Sequence, residues 1–199
     1  MFDGLWTVPN LITLIRLLFL PVFLYLLFGA ENRAAAAWTL GALGATDWVD
    51  GYVARRFHQV SEFGKIFDPT VDRLLFFVGV TAIIVDGSMP VWFGVAVLAR
   101  ELLVGAMMAI GTVLYKMPRI DVTYLGKLAT FLLMFAVPGF LMGNSDMPGA
   151  GGFEAAAWIL GIPGLTLSIW TGVAYVPRVR RAFAGGDAAP DDPPPDSST

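Results

Sequence analysis

The chain alternates long apolar runs with short polar breaks. Six apolar segments each approach the ~20 residues that a helix needs to cross the hydrocarbon core of a membrane. Turn-forming residues separate these segments, as in the sequence Asp86-Gly87-Ser88 followed by Pro90. The pattern predicts an all-α integral membrane protein with six transmembrane helices. The predicted spans are residues 11–29, 34–54, 71–86, 90–115, 125–143 and 154–176.

The composition supports a membrane protein and narrows its chemistry. Hydrophobic residues make up 56% of the 199 residues and charged residues only 15%, against about 25% in soluble domains. The chain has no cysteine, which excludes disulfides, thiolate metal sites and cysteine nucleophiles. Residues 181–199 form an acidic, proline-rich tail that we expect to be disordered. The remaining membrane domain, residues 1–180, is close to neutral and gives no signal for nucleic-acid binding.

The lysines and arginines predict the topology. Of the thirteen, Arg33 lies on one side of the predicted spans, while Arg16 and Arg100 fall inside spans. The other ten lie on the opposite side, which indicates that this side is cytoplasmic. Both termini and the loop between the second and third spans are therefore predicted to be cytoplasmic, in a multi-pass protein of the cell's inner (plasma) membrane.

Four aspartates flank that loop. Asp47 and Asp50 end the second span, and Asp68 and Asp72 begin the third. Each pair is spaced so that its members share one face of a helix. Because a short loop joins the two helices, we expect them to pack as an antiparallel pair and to bring the four carboxylates together. The cluster would then lie at the cytoplasmic boundary of the membrane.

A carboxylate cluster at this depth needs positive charge nearby. Hard oxygen ligands suit Mg²⁺, Mn²⁺ or Ca²⁺, and a two-metal site can hold the attacking and leaving oxygens of a phosphoryl transfer. The alternative is an ordinary solvated loop in which the aspartates form salt bridges with neighbouring cations. Those cations are Arg55, Arg56, Lys65 and Arg73.

The complete spacing reads Asp47-x2-Asp50-Gly51-x2-Ala54-Arg55-x8-Gly64-x3-Asp68-x3-Asp72. It resembles the signature of the CDP-alcohol phosphotransferase family, and the general layout of residues 5–180 is similar as well. The resemblance implies a membrane enzyme that transfers a phosphatidyl or related group from a CDP-linked donor to an alcohol and releases CMP. It also implies two Mg²⁺ or Mn²⁺ ions bound by the four aspartates, with Asp72 acting in addition as the general base.

The resemblance further implies which residues contact CDP-diacylglycerol. Gly51 and Arg55 would contact its cytidine diphosphate, and the small residues Ala54 and Gly64 would leave space for it. Ser61 lies in the loop where relatives place a small hydroxyl residue near the donor.

Two residues of the first span leave alternatives open. Asn10 is expected to cap the first helix, to lie near the cytidine as in relatives, or to do both, and Arg16 either snorkels or pairs with the aspartate cluster.

Four cations are candidates for binding a phosphate on the acceptor: Arg100, Lys116, Arg119 and Lys127. Arg100 has the alternative of a structural pair with Glu101, and the other three have the alternative of anchoring the protein at the membrane surface. The segment VPNLITLIRLLFLP (8–21) resembles the first helix of both the phosphatidylglycerophosphate synthases and the cardiolipin synthases of the family, whereas ARELLVGA (99–106) resembles the phosphatidylglycerophosphate synthases. Glycerol 3-phosphate is therefore the first expected acceptor.

Two other acceptors within the family are phosphatidylglycerol, as in a cardiolipin synthase, and an inositol phosphate. The resemblance also implies a homodimer. A transporter is the alternative from another class, and it would spread its charges near the midplane of several spans. Here the charges cluster at one boundary, which argues against a transporter.

Overall fold

The structure, a computed structural model, describes residues 8–57, 64–115 and 123–183. These residues form six α-helices and the turns between them, and none of them lies in a strand. A short π-helical stretch, Tyr25–Gly29, continues the first helix. The all-α prediction is confirmed, and each predicted span coincides with one helix. The helices are α1 (Val8–Leu24), α2 (Arg33–Phe57), α3 (Gly64–Asp86), α4 (Val91–Tyr115), α5 (Tyr124–Gly143) and α6 (Ala150–Phe183).

The largest differences from the predicted boundaries occur where the apolar runs become polar. Helix α3 begins at Gly64, seven residues before the predicted span, and α6 extends to Phe183. An apolar run ends at the first charge, whereas helical backbone hydrogen bonding continues through polar residues. As a result, Asp68 and Asp72 both lie within α3, beyond its first turn.

Three helical segments are long and apolar enough to cross a membrane. They are Asn10–Gly29, Tyr124–Gly143 and Ala150–Ala174, with mean hydropathies of 2.4, 1.8 and 1.4. These spans are found within the described part of the chain. The remaining three spans and the orientation of the protein stay predictions from the sequence.

Aromatic side chains join α4, α5 and α6. The rings of Phe140 and Trp158 meet edge to face, with centroids 4.9 Å apart. Phe93 lies 5.2 Å from Phe140 and 5.9 Å from Trp158. Edge-to-face pairs are favourable because the positive ring edge meets the negative ring face. This cluster fixes one half of the bundle, while α1 packs against α2 and α3 in the other half.

Helices α5 and α6 approach each other closely at two glycines of α5. A Cβ atom added to Gly143 would lie 2.6 Å from Cβ of Glu154 and 2.8 Å from its Cα. One turn earlier, a Cβ on Gly139 would lie 3.2 Å from Cβ of Ala157. Small residues allow two helix backbones to come together in this way. The α5–α6 contact therefore depends on the missing side chain at residue 143.

The ends of α2 and α3 remote from the aspartates are joined by hydrogen bonds. Arg33 Nε donates to Asp86 Oδ2 at 2.9 Å, and Ser88 Oγ donates to the same oxygen. Asn144 Nδ2, just after α5, donates to the Ser88 carbonyl at 2.9 Å. The hydrogen bond to Asp86 raises the pKa of Arg33 above its ordinary value. These contacts fix one end of the bundle.

We expect Gly143→Ala to lower the melting temperature of the purified protein, because the new methyl group overlaps the backbone of α6. Overpacking of this kind costs about 1–3 kcal/mol. Gly41→Ala is the matched control, since a Cβ at that position in α2 meets nothing within 4 Å. It should leave the melting temperature unchanged or raise it slightly, through better helix propensity. Equal effects of the two substitutions in a thermal melt would contradict the proposed close contact.

Candidate active site

Asp68 and Asp72 form the described part of the predicted metal site. They lie one turn apart on α3, both half-buried, at a spacing that places them on the same face of the helix. Two carboxylates on adjacent turns offer the hard oxygen ligands that Mg²⁺ and Mn²⁺ prefer. The donor set therefore fits a divalent cation.

Helix α1 contacts both carboxylates through polar side chains. Thr13 Oγ1 donates a hydrogen bond to Asp68 Oδ1 at 2.6 Å. Arg16 Nη1 donates to Asp72 Oδ1 at 2.5 Å and forms an ion pair with it. Thr13 is fully buried, and Arg16 is only 3% exposed. The prediction that Arg16 pairs with the aspartate cluster is confirmed, and its alternative, snorkelling to the membrane surface, is wrong.

Charge balance explains why Arg16 can be buried. An arginine within an apolar helix is costly unless a counter-ion compensates it. Asp72 supplies that charge through a charge-assisted hydrogen bond, which is stronger than a neutral one. The pair therefore joins α1 to α3 at Asp72, one of the carboxylates that the sequence predicts to bind metal.

The other two predicted metal ligands lie on α2. Asp47 and Asp50 belong to its last turns, three residues apart, and their side chains lie outside the described residues. Among the side chains that the structure describes, no group of three or more acidic or histidine residues lies together. The convergence of all four carboxylates is therefore still a prediction.

The predicted donor-binding residues divide in the same way. Gly51, Ala54 and Arg55 lie on α2 beyond Asp50, and Gly64 is the first residue of α3. The side chains of Ala54 and Arg55 lie outside the described residues, as does Ser61 altogether. Their contacts with a donor stay predictions.

Asn10 does not cap α1. The helix begins at Val8, so Asn10 lies inside its first turn, and the residue is only 6% exposed. The capping alternative is wrong because the helix starts earlier than the apolar run suggested. Its position near the cytidine of a donor stays a prediction.

Thr13 is a site residue that the sequence motif did not predict. Asn10, Thr13 and Arg16 are all buried and recur every three residues along α1. The same face continues with the buried residues Leu20, Phe23 and Leu27. A helix face that is polar at one end and apolar at the other was visible in the sequence as this periodicity. The residues of α3 that this face contacts could be identified only from the structure.

The candidate acceptor residues differ in their surroundings. Arg100 Nη1 donates to Glu101 Oε2 at 2.8 Å, so its charge is neutralised within α4. The structural pair proposed as the alternative for Arg100 is thereby confirmed. Lys127 lies in the first turn of α5 and is exposed. Lys116 and Arg119 lie outside the described residues.

The fold and the site together define an all-helical, membrane-type protein with paired carboxylates near the start of α3. The model of the CDP-alcohol phosphatidyltransferase family matches residues 6–170, a range that begins before α1 and ends within α6. The chain belongs to the CDP-alcohol phosphatidyltransferase family. The family resemblance expected from the aspartate spacing is confirmed, and with it the prediction of an enzyme.

Three relatives represent the activities named among similar proteins. The CMP-forming cardiolipin synthase of Streptomyces coelicolor is 33% identical over 197 residues, covering 94% of this chain and 89% of the relative. A Mycobacterium tuberculosis protein named as a probable phosphatidylglycerophosphate synthase is 33% identical, covering 88% and 83%. The CDP-diacylglycerol–glycerol-3-phosphate 3-phosphatidyltransferase of Rickettsia typhi is also 33% identical, covering 88% and 98%. Overall identity therefore does not separate the two acceptors.

Proposed function

We propose that the chain transfers the phosphatidyl group of CDP-diacylglycerol to the hydroxyl group of a glycerol-containing acceptor and releases CMP. The observation that carries this proposal is the pair Asp68 and Asp72, side by side on α3 and each hydrogen-bonded from α1. Membership of the family supports the reaction class. The names of the relatives support a phospholipid product.

Asp47, Asp50, Asp68 and Asp72 are proposed to hold two divalent cations, Mg²⁺ or Mn²⁺. When bound, these ions would neutralise the oxygens of the donor's pyrophosphate, which otherwise repel an incoming oxygen nucleophile. Arg55, one turn beyond Asp50 on α2, is proposed to bind the cytidine diphosphate, since its planar group suits bidentate contact with phosphate. Gly51, Ala54, Gly64, Ser61 and Asn10 are proposed to line the donor site.

Asp72 is proposed as the general base. Its carboxylate accepts the proton of the acceptor hydroxyl as the hydroxyl oxygen bonds to the phosphorus that carries the diacylglycerol. The bond from that phosphorus to the bridging oxygen of the pyrophosphate breaks, and its electron pair leaves with CMP. Positioning matters more than basicity here, because a carboxylate near cations is a weak base.

The site is proposed to open to the cytoplasm, with six spans and both termini on that side. Ten cations lie at or beyond the cytoplasmic ends of the predicted spans and one lies at the opposite ends, and this distribution supports the topology. The protein is then placed in the inner or plasma membrane, where it meets its lipid substrate. A homodimer is proposed on the family resemblance alone.

Phosphatidylglycerol is the acceptor that the pairing of Arg100 with Glu101 favours. Glycerol 3-phosphate carries a phosphomonoester with up to two charges, whereas phosphatidylglycerol carries a phosphodiester with one. Arg100 is one of the four candidates for binding the second negative charge of a phosphomonoester, and its own charge is already neutralised by Glu101. The likeness to the Streptomyces coelicolor cardiolipin synthase supports the same choice.

Glycerol 3-phosphate, the first acceptor expected from the sequence, is the second candidate. Lys127 supports it as an exposed cation in the first turn of α5, available to a phosphate at the membrane surface. The Rickettsia typhi relative, matched over 98% of its length, supports it as well.

The acceptor can be identified by measuring CMP release from CDP-diacylglycerol in the presence of Mg²⁺ or Mn²⁺. Phosphatidylglycerol, glycerol 3-phosphate, inositol phosphate and serine would be supplied separately to the purified protein. We expect release with phosphatidylglycerol and formation of cardiolipin in the lipid extract. Release with glycerol 3-phosphate alone would establish the second candidate. No release with any of the four would contradict the proposed reaction.

Asp72→Asn should reduce turnover by roughly 10²–10⁴-fold, because the amide cannot accept the proton. Asp146→Asn is the matched control, since it makes the same change at an exposed aspartate beyond the far end of α5. It should retain wild-type activity. Both variants should keep a wild-type circular dichroism spectrum. A rate for Asp72→Asn close to that of Asp146→Asn would contradict the assignment of the base.

A further inference from the structure

Two polar side chains of α1 contact the same two carboxylates that are proposed to bind metal. Thr13 and Arg16 are three residues apart, and Asp68 and Asp72 are four apart, so each pair shares a face of its helix. The contacts are made between corresponding members, Thr13 to Asp68 at 2.6 Å and Arg16 to Asp72 at 2.5 Å. Two parallel hydrogen bonds thus connect α1 with α3.

Thr13 and Arg16 hold the two carboxylates in place but are not themselves predicted metal ligands. Each hydrogen bond uses one oxygen of its carboxylate, which restricts rotation of the group about its bond to the side chain. Metal sites depend on such outer contacts to orient their ligands, and their loss typically lowers metal affinity by about 10–100-fold. Both donors are buried, whereas the two carboxylates are half-buried and keep an accessible side for a metal ion.

We propose that Thr13 and Arg16 are positioning residues for the divalent cation site, holding Asp68 and Asp72 from α1 in the orientation that binds metal. The inference rests on the proposed function, because it assumes that these aspartates are metal ligands. It adds that metal affinity is set partly by a helix that carries none of the proposed ligands.

Substitution of Arg16 gives a decisive test, because its two possible roles predict opposite changes in metal affinity. If Arg16 serves only as a counter-charge to Asp72, it repels a metal ion, and removing it should tighten metal binding. If Arg16 orients Asp72, removing it should weaken metal binding despite the loss of repulsion. The proposal is the second of these.

The test measures Mn²⁺ binding to the full-length protein in nanodiscs, without substrate, from the electron paramagnetic resonance signal of free Mn²⁺. We expect Thr13→Val and Arg16→Met to weaken Mn²⁺ affinity by about 10–100-fold. Thr13→Ser, which keeps the hydroxyl group, should retain wild-type affinity. Arg16→Lys, which keeps the charge and a single donor, should recover part of the loss.

Two control variants separate positioning from general stability. Thr166→Val removes an exposed hydroxyl that bonds only within its own helix, and it should change nothing. Arg33→Met removes a second arginine–aspartate pair that reaches α3 among the described residues, the contact with Asp86. It should lower the melting temperature and leave Mn²⁺ affinity unchanged.

The outcomes distinguish this inference from the proposed function. Absence of Mn²⁺ binding by the wild-type protein would overturn this inference and the proposed metal site, while the proposed reaction is tested separately by CMP release. Wild-type binding with unchanged affinity in Thr13→Val and Arg16→Met would overturn the positioning role alone, and tighter binding by Arg16→Met would replace it with the counter-charge role. If Arg16→Met does not fold, the comparison of Thr13→Val with Thr13→Ser decides the question.

Discussion

The ion pair between Arg16 and Asp72 is the interaction on which the polar end of the bundle depends. It places a guanidinium inside an apolar helix and a carboxylate at its side, and either charge alone would be costly there. Because the partners belong to α1 and α3, their attraction also fixes how these helices pack. The arrangement of the site and the stability of this half of the bundle therefore have the same physical cause.

The two halves of the bundle are held together by different forces. Helices α5 and α6 rely on glycine and alanine, which bring their backbones together, and on aromatic rings shared with α4. Helices α1 and α3 are joined by apolar packing and, in addition, by hydrogen bonds from α1 to Asp68 and Asp72. A substitution in the first half acts mainly through shape, whereas one in the second half also changes charge and hydrogen bonding.

The sequence predicted the helices well because apolar runs of membrane length leave few other folds. It also predicted the family, since the spacing of Asp47, Asp50, Asp68 and Asp72 is specific. It could not predict where α3 begins, because polar residues continue a helix as readily as they end one. Nor could it predict that Thr13 meets Asp68, since periodicity gives the face of a helix without its neighbour.

The separation of Arg16 and Asp72 along the chain has a consequence for biosynthesis. The two positions are 56 apart in the numbering, so in the proposed topology α1 leaves the ribosome and meets the membrane before α3, which carries its counter-ion. An arginine inside a span opposes insertion, and the apolar residues around it must compensate. The segment Asn10–Gly29 has a mean hydropathy of 2.4, against 1.8 and 1.4 for the other two candidate spans. In the proposed topology, the high apolar content of the first helix therefore favours its entry into the bilayer before α3 brings the carboxylate that neutralises Arg16.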